Sequence, residues 1–296
     1  MDGEGCPTLD LISVPPMVFV LSGIVTITSI NIVNRLAINS IKTRWGVIAA
    51  NYVVALAISA AMFTVNGMRP ASIFTIALGL VTGLLYIGGM YLGMATIKKR
   101  GASIAVSASQ LSILIPVGLS FVIFGESLRT NQMIGVVVAI VSLPLLAARI
   151  GGGLGGSLDR ETLLLIVAQI MVQGFAQLSS KILVAWGLGV ERDAFFLAVF
   201  LSAALTTIPI AFKHKSEIMK TDFVYGGVVG FCNIAGNLSI LLALTMLPGA
   251  IVFPLISSGG LLLVTLLAWL FFKEQISRVN TVGITLTLAA VLLVNL

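Results

Sequence analysis

Acidic side chains are scarce in this chain. Asp and Glu number 11 among 296 residues, against 17 Lys and Arg, and none stands in the middle of an apolar run. There is one histidine, His214, in a polar stretch, and there are two cysteines, Cys6 and Cys232. Two such distant cysteines make no disulfide framework. With a single histidine they make no metal centre, so no metal and no cofactor is expected. An intramembrane protease or transferase needs embedded acids, a nucleophile–base pair or metal ligands, so enzyme activity is not expected either. The first fourteen residues carry Asp2, Glu4 and Asp10 and no cation. That is unlike the basic start of a signal peptide, so the first apolar run is expected to be retained. Charged residues make up 9% of the whole. Soluble domains carry roughly 25%, so this chain cannot clothe a water-facing surface.

What the chain does have is apolar length. It is 58% hydrophobic, with a mean hydropathy of +1.12. Apolar runs of about 20 residues mark helices that cross a hydrocarbon core about 30 Å thick. Ten are expected, over residues 15–38, 47–65, 71–96, 102–124, 132–148, 162–186, 194–212, 223–246, 249–272 and 279–296. The short alternating segments of a β-barrel are absent. The expected fold class is therefore all-α integral membrane, multi-pass, in an inner or plasma membrane. An isoelectric point near 9.6 could suggest nucleic acid. The cations, however, sit in short loops between the runs, where they read as topology signals and lipid-headgroup contacts. Nucleic acid is not an expected partner; the bilayer and a small solute are, with the chain a monomer or homodimer.

Orientation follows from the same loops. Odd-numbered loops hold Arg35, Lys42 and Arg44; Lys98, Lys99 and Arg100; Arg149 and Arg160; Lys213, Lys215 and Lys220; and Lys273 and Arg278. Even loops hold only Arg69, Arg129 and Arg192. Cations favour the cytoplasmic side, which places both termini outside.

The chain also reads as a duplication. Residues 101–148 and 249–296 align without a gap at an offset of 148. Gly101-Ala102 falls on Gly249-Ala250, Phe124 on Phe272, Glu126 on Glu274 and Gly135 on Gly283. Upstream, Gly79 and Gly83 correspond to Gly226 and Gly230 at an offset of 147. The expected organisation is an acidic tail over 1–14, a five-helix repeat over 15–148, a Gly-rich linker over 149–161 and a second repeat over 162–296. The linker, RIGGGLGGSLDRE, has no following Gly-Lys-Ser/Thr and no preceding strand, so it is no phosphate cradle. An odd number of spans per repeat inserts the second copy upside down. Inverted repeats of this kind are typical of transporters that open alternately to each side.

Two stretches carry a family resemblance. IKKRGASIAVSASQLSILIPVGLSFVIFGESLRTNQMIGVVVAIVSLPLLA and LTMLPGAIVFPLISSGGLLLVTLLAWLFFKEQISRVNTVGITLTLAAVLLVNL share a Gly-Ala start, a Gly-Glu or Lys-Glu turn and a glycine early in the last span. They resemble the ends of the two EamA-type halves of the drug/metabolite transporter superfamily. Arg35 and Lys181 match the basic residue that members place late in the first span of each half. The Trp-Gly often found in the family's first span is missing. Characterised members keep both termini in the cytoplasm, opposite to the charge count. The resemblance implies ten helices and transport of a small compound.

Polar groups inside hydrocarbon are costly, so they belong in the bundle interior or a water-filled cavity. Gln169, Gln173, Gln177 and Lys181 recur every four residues and form one row on a helix. Gln173, Gln177 and Lys181 are candidates to face a solute, while Gln169 reads as a bond to a neighbouring helix. Asn31, Asn34 and Arg35 occupy the counterpart position in the first repeat. Ser109 and Gln110 fall on Ser257 and Ser258 under the offset, making two similar polar patches. Tyr86, Asn233 and Asn237 complete the candidates. Lys181 has no embedded carboxylate in view, so a carboxylate on the solute is the expected partner. Glu126 and Glu274 read as turn residues that cap or pair. Pro116 and Pro254 free backbone carbonyls in helices 4 and 9, which suits the wall of a cavity. The expectation is a transporter of small polar metabolites, an amino acid first, by alternating access. The alternatives are a multidrug exporter, disfavoured by the missing acid, and a channel or scaffold.

Overall fold

The computed structural model describes residues 15–38, 44–100, 108–147, 160–272 and 278–295. The described chain is helical throughout. Helix α1 spans Pro16–Ile38, α2 Arg44–Val65, α3 Ile73–Arg100, α4 Leu114–Val122 and α5 Thr130–Ala147. Then come α6 Arg160–Ala185, α7 Arg192–Lys213, α8 Lys220–Met246, α9 Gly249–Phe272 and α10 Arg278–Asn295. Seven of these are long and apolar enough to cross a membrane: α1, α2, α3, α6, α7, α8 and α9. Residues 108–122, 130–143 and 281–293 form shorter apolar helical stretches. The chain is thus a multi-pass membrane protein. The acidic tail, residues 149–159 of the linker and the turn around Glu274 lie outside the described residues, and the last two linker positions, Arg160 and Glu161, already belong to α6.

The outer surface explains how such a chain is solvated. Large apolar side chains such as Leu21, Val137, Phe231 and Leu292 stand more than half exposed around the bundle, where only lipid could accept them. Inside, two apolar clusters form. One gathers Phe19, Ile113, Leu143, Phe253 and Leu255 from α1, α5, α9 and the approach to α4. The other gathers Tyr52, Ile87, Leu183, Phe196, Phe200 and Leu241 from α2, α3, α6, α7 and α8.

Glycine decides which helices approach closely. On α3, a Cβ at Gly79 would lie 2.7 Å from both the Ala198 Cβ and the Phe195 carbonyl of α7. On α8, a Cβ at Gly226 would collide with the Ala50 Cβ and the Val47 carbonyl of α2. Only a residue without a side chain permits either crossing. Around these contacts α2 packs on α7 and α8, α3 on α6 and α7, and α1 on α8 and α9. Helices α5 and α10 pair with one another, with the Ser142 and Thr287 hydroxyls 2.9 Å apart.

Pro116 acts differently from its sequence reading. The helical turn over 108–111 stops at Ser112 and Ile113, and α4 restarts with Pro116 in its first turn. Proline has no N–H to give the Ser112 carbonyl, which accepts from Ile115 at 3.2 Å instead. The break therefore precedes the proline, and α4 is short. Gly125, with φ of 61°, then turns the chain and sets Glu126 beneath the bundle.

Candidate functional site

The polar side chains sort into three groups. The first surrounds a cavity of about 360 Å³ between α1, α2, α3 and α8. Its polar lining is Asn34, Asn51 and Asn233, against Ile30, Val47, Met90 and Met94. A hydrogen-bonded chain leads into it. Tyr86 Oη donates to Asn237 Oδ1 at 2.6 Å, and Asn237 Nδ2 donates to Asn233 Oδ1 at 2.8 Å. Asn233 Nδ2 in turn donates to Asn51 Oδ1 at 3.1 Å. The hydrogens run one way, from α3 through α8 to α2. The NH₂ group of Asn51 is the donor this chain leaves over, beside the cavity. Mixed apolar and polar walls of this size suit a small organic solute.

Three of the expected residues, Tyr86, Asn233 and Asn237, are thus brought together. Asn31 is not with them. It is exposed, its Nδ2 bonds back to the Ile27 carbonyl at 2.9 Å, and Asn34, one turn further on, lines the cavity in its place. Asn51 was missed in the sequence. The signal was present, a lone carboxamide in the apolar run IAANYVVALA, but no repeat or spacing picked it out.

The second group is the glutamine row. Gln169 Nε2 donates to Ser109 Oγ at 2.9 Å and Gln177 Nε2 to Ser112 Oγ at 2.8 Å. Gln173 Nε2 donates to the Gly89 carbonyl at 3.3 Å. The row joins α6 to α3 and to the broken segment ahead of α4. Gln169 is fully buried. Gln110 and Ser257 are half-buried on their own helices, and buried Ser258 donates to the Pro254 carbonyl of its own helix at 2.7 Å.

The third group overturns one expectation. Lys181, 7% exposed, does have a carboxylate partner: its ammonium pairs with Glu126. Glu126 also accepts from the backbone N–H of Gly249 at 2.9 Å and of Ala250 at 3.0 Å. One carboxylate therefore satisfies two orphan donors and the positive end of α9, and neutralises a buried ammonium. The pairing escaped the sequence reading because Glu126 is 55 residues away, in a turn. Ser120 Oγ, buried beside Gly249, has no hydrogen-bond partner.

The first and third groups lie at opposite ends of the bundle. The cavity is at the end where α1 and α3 finish and α2 and α8 begin. The Glu126–Lys181 tie is where α4 and α6 finish and α9 begins. That second end carries further ties: Asn66 Nδ2 donates to Asp193 Oδ2 at 2.7 Å, and the Ser72 N–H and hydroxyl donate to Glu191 Oε2 at 3.0 and 2.8 Å. Phe74 packs on Trp186 there, with ring centroids 4.7 Å apart.

Comparison with known proteins adds the fold and no function. No family model matches the chain. A protein of uncharacterised function from Haemophilus influenzae is 26% identical over 214 residues, covering 72% of each chain. A protein of solved crystal structure superposes on 94% of this chain and 95% of its own, with a TM-score of 0.74 and 14% identity. At that identity the likeness establishes a shared fold alone.

Proposed function

We propose that this protein is an alternating-access transporter of small polar metabolites, with amino acids the first candidates. In this reading it is a ten-span, EamA-type member of the drug/metabolite transporter superfamily, built from two inverted five-helix repeats in the cell membrane. The observation that carries the reading is the polarity of the bundle along its axis. A carboxamide-lined cavity occupies one end, while the other end is tied by Glu126, Lys181 and the start of α9. A pore would not need one end sealed by a buried ion pair. A transporter needs a seal that can form and break.

The duplication has support in the packing. A Cβ on Gly79 would meet Ala198 Cβ, Phe195 O and Val199 N; one on Gly226 would meet Ala50 Cβ, Val47 O and Asn51 N. These are the same three atom types at a constant offset of 148, with the roles of the two halves exchanged. Likewise α1 packs on α8 as α6 does on α3. Reciprocal contacts of this kind fit two copies related by a pseudo-twofold axis.

Recognition then rests on hydrogen bonds. Lys181 is already engaged, and among the described residues the polar cavity lining is carboxamide. A solute that both donates and accepts suits Asn51 and Asn233. Counterflow in proteoliposomes tests the proposal. Preloaded amino acid should accelerate uptake of labelled amino acid, saturably, and Asn51→Leu and Asn233→Leu should weaken it. Non-saturable flux without counterflow would establish a channel. Counterflow by quaternary ammonium compounds alone would establish a drug exporter.

A further inference from the structure

A second concavity opens on the side of the bundle between α2 and α7, with a volume of about 610 Å³. One wall is the small-residue face of α2, Gly46, Ala49 and Val53; the other is Ile208 and Phe212 of α7, with Lys215 at the mouth. Val53 is 43% and Phe212 69% exposed, so the groove faces outward rather than into the core. Lys213 and Lys220 are exposed beside Lys215 at the same end, and Trp45 stacks on His214 with ring centroids 6.5 Å apart. Among the described residues of the α7–α8 turn the acids are Glu217, beside His214 at 3.8 Å, and Asp222, which is buried and accepts from the Met219 N–H; Glu161, at the same end of the bundle, pairs with Lys99 at 2.8 Å. In this turn three exposed lysines therefore outweigh one exposed carboxylate.

We propose that this groove is a specific site for a phospholipid with an anionic headgroup, the acyl chain lying along α2 and the phosphate at Lys215. The inference rests on the membrane placement of the bundle and not on the transport reading. The length of the groove suits an acyl chain. From Gly46 to Val54 the groove runs about 12 Å at 1.5 Å per residue. That falls within the roughly 15 Å of a single leaflet's hydrocarbon. The charge favours an anionic headgroup over a zwitterionic one. Each lysine near a headgroup strengthens anionic lipid binding by about fivefold.

Full-length, delipidated protein in neutral detergent tests this by native mass spectrometry with phosphatidylglycerol and phosphatidylcholine. Phosphatidylglycerol should be retained at least tenfold more tightly. Lys213→Gln with Lys215→Gln and Lys220→Gln should reduce it to the phosphatidylcholine level, whereas Arg69→Gln with Arg129→Gln, at the opposite end, should not. Val53→Trp, on an exposed wall, should abolish retention; Ala49→Leu is the milder second variant. Equal retention of the two lipids would overturn the proposal, as would an equal effect of the control pair or unaltered binding in both groove-filling variants. Full competition by glycerol phosphate would reduce the site to a free-anion site. A dimer dissolved by Val53→Trp would assign the groove to a second copy of the chain instead.

Discussion

Glu126 accepts from three donors at once, and that makes its removal asymmetric with removal of its partner. Glu126→Ala strands the Lys181 ammonium, whose side chain is 9% exposed, and uncaps Gly249 and Ala250. Removing one member of a buried ion pair costs about 3–5 kcal/mol, because the other is left charged and unpaired. Lys181→Met keeps the apolar stem and leaves Glu126 with two N–H donors and the positive end of α9. Its cost is the lost charge-assisted bond, about 1.5–3 kcal/mol. For a chain of this size, about 2–4 °C accompanies each kcal/mol, so Glu126→Ala should lower the melting temperature by roughly 6–20 °C and Lys181→Met by clearly less. Heating in detergent followed by fluorescence-detected size exclusion measures both.

The decisive variant is the charge swap, Glu126→Lys with Lys181→Glu. A simple ion pair would be restored by exchange. Here the new lysine would point at two backbone N–H groups and at the positive helix end, so stability should stay near that of Glu126→Ala. Recovery of the swap to within about 0.5 kcal/mol of the parent would refute the reasoning, since the α9 cap would then contribute nothing. In the transport reading the tie also seals this end, so Lys181→Met should speed impermeant-thiol labelling of a Ser120→Cys reporter.

Gly79→Ala and Gly226→Ala force backbones apart and should each cost about 1–3 kcal/mol, while Gly118→Ala and Gly227→Ala, with open space around them, should be neutral or stabilising. Thermal melts separate the two pairs. Tyr86→Phe removes one hydrogen bond at the head of the amide chain and should shift solute affinity by up to about tenfold in counterflow titrations, with a small effect on melting. Gln169→Leu should do the reverse, losing about 0.5–1.5 kcal/mol of stability, because it removes the hydrogen bond by which a fully buried carboxamide joins α6 to Ser109. An impermeant thiol reagent should label intact cells at Cys6, since Cys232 is buried; labelling only after permeabilisation would put the termini in the cytoplasm.

Most helix limits were legible because hydropathy reports them directly. The run expected over 249–272 is α9, and that over 162–186 differs from α6 by a residue or two. The break at Ser112 was not legible as such, because a proline in an apolar run can end, kink or begin a helix. The candidate site was read less well. Periodicity found the glutamine row, but periodicity says which residues share a face and not what that face meets. Gln173 meets the Gly89 carbonyl across a crossing that glycine makes close. Asn51 has no periodic companion, and its role comes from Asn233, 182 residues away, on a helix brought near by Gly226 and Gly230. Glu126 was assigned a turn, correctly, yet the turn's purpose depended on where α9 begins.

The strength of the tie limits what the proposed cycle can be. If opening that end cost the whole of a buried pair, about 3–5 kcal/mol, the alternate state would be populated below about 1%. A solute that bound both states equally could not shift it. Two features reduce the cost. Glu126 and Lys181 sit at a helix end, where water can replace each partner as they separate. The three donors also lie on two elements, the ammonium on α6 and the N–H groups on α9, so separation of α6 from α9 leaves the carboxylate with α9 and frees only the lysine. The opening step then resembles Lys181→Met more than Glu126→Ala, about 1.5–3 kcal/mol, a gap that differential solute binding can close. In the proposed opening step Glu126 would travel with α9, and Lys181 would be the residue that lets go.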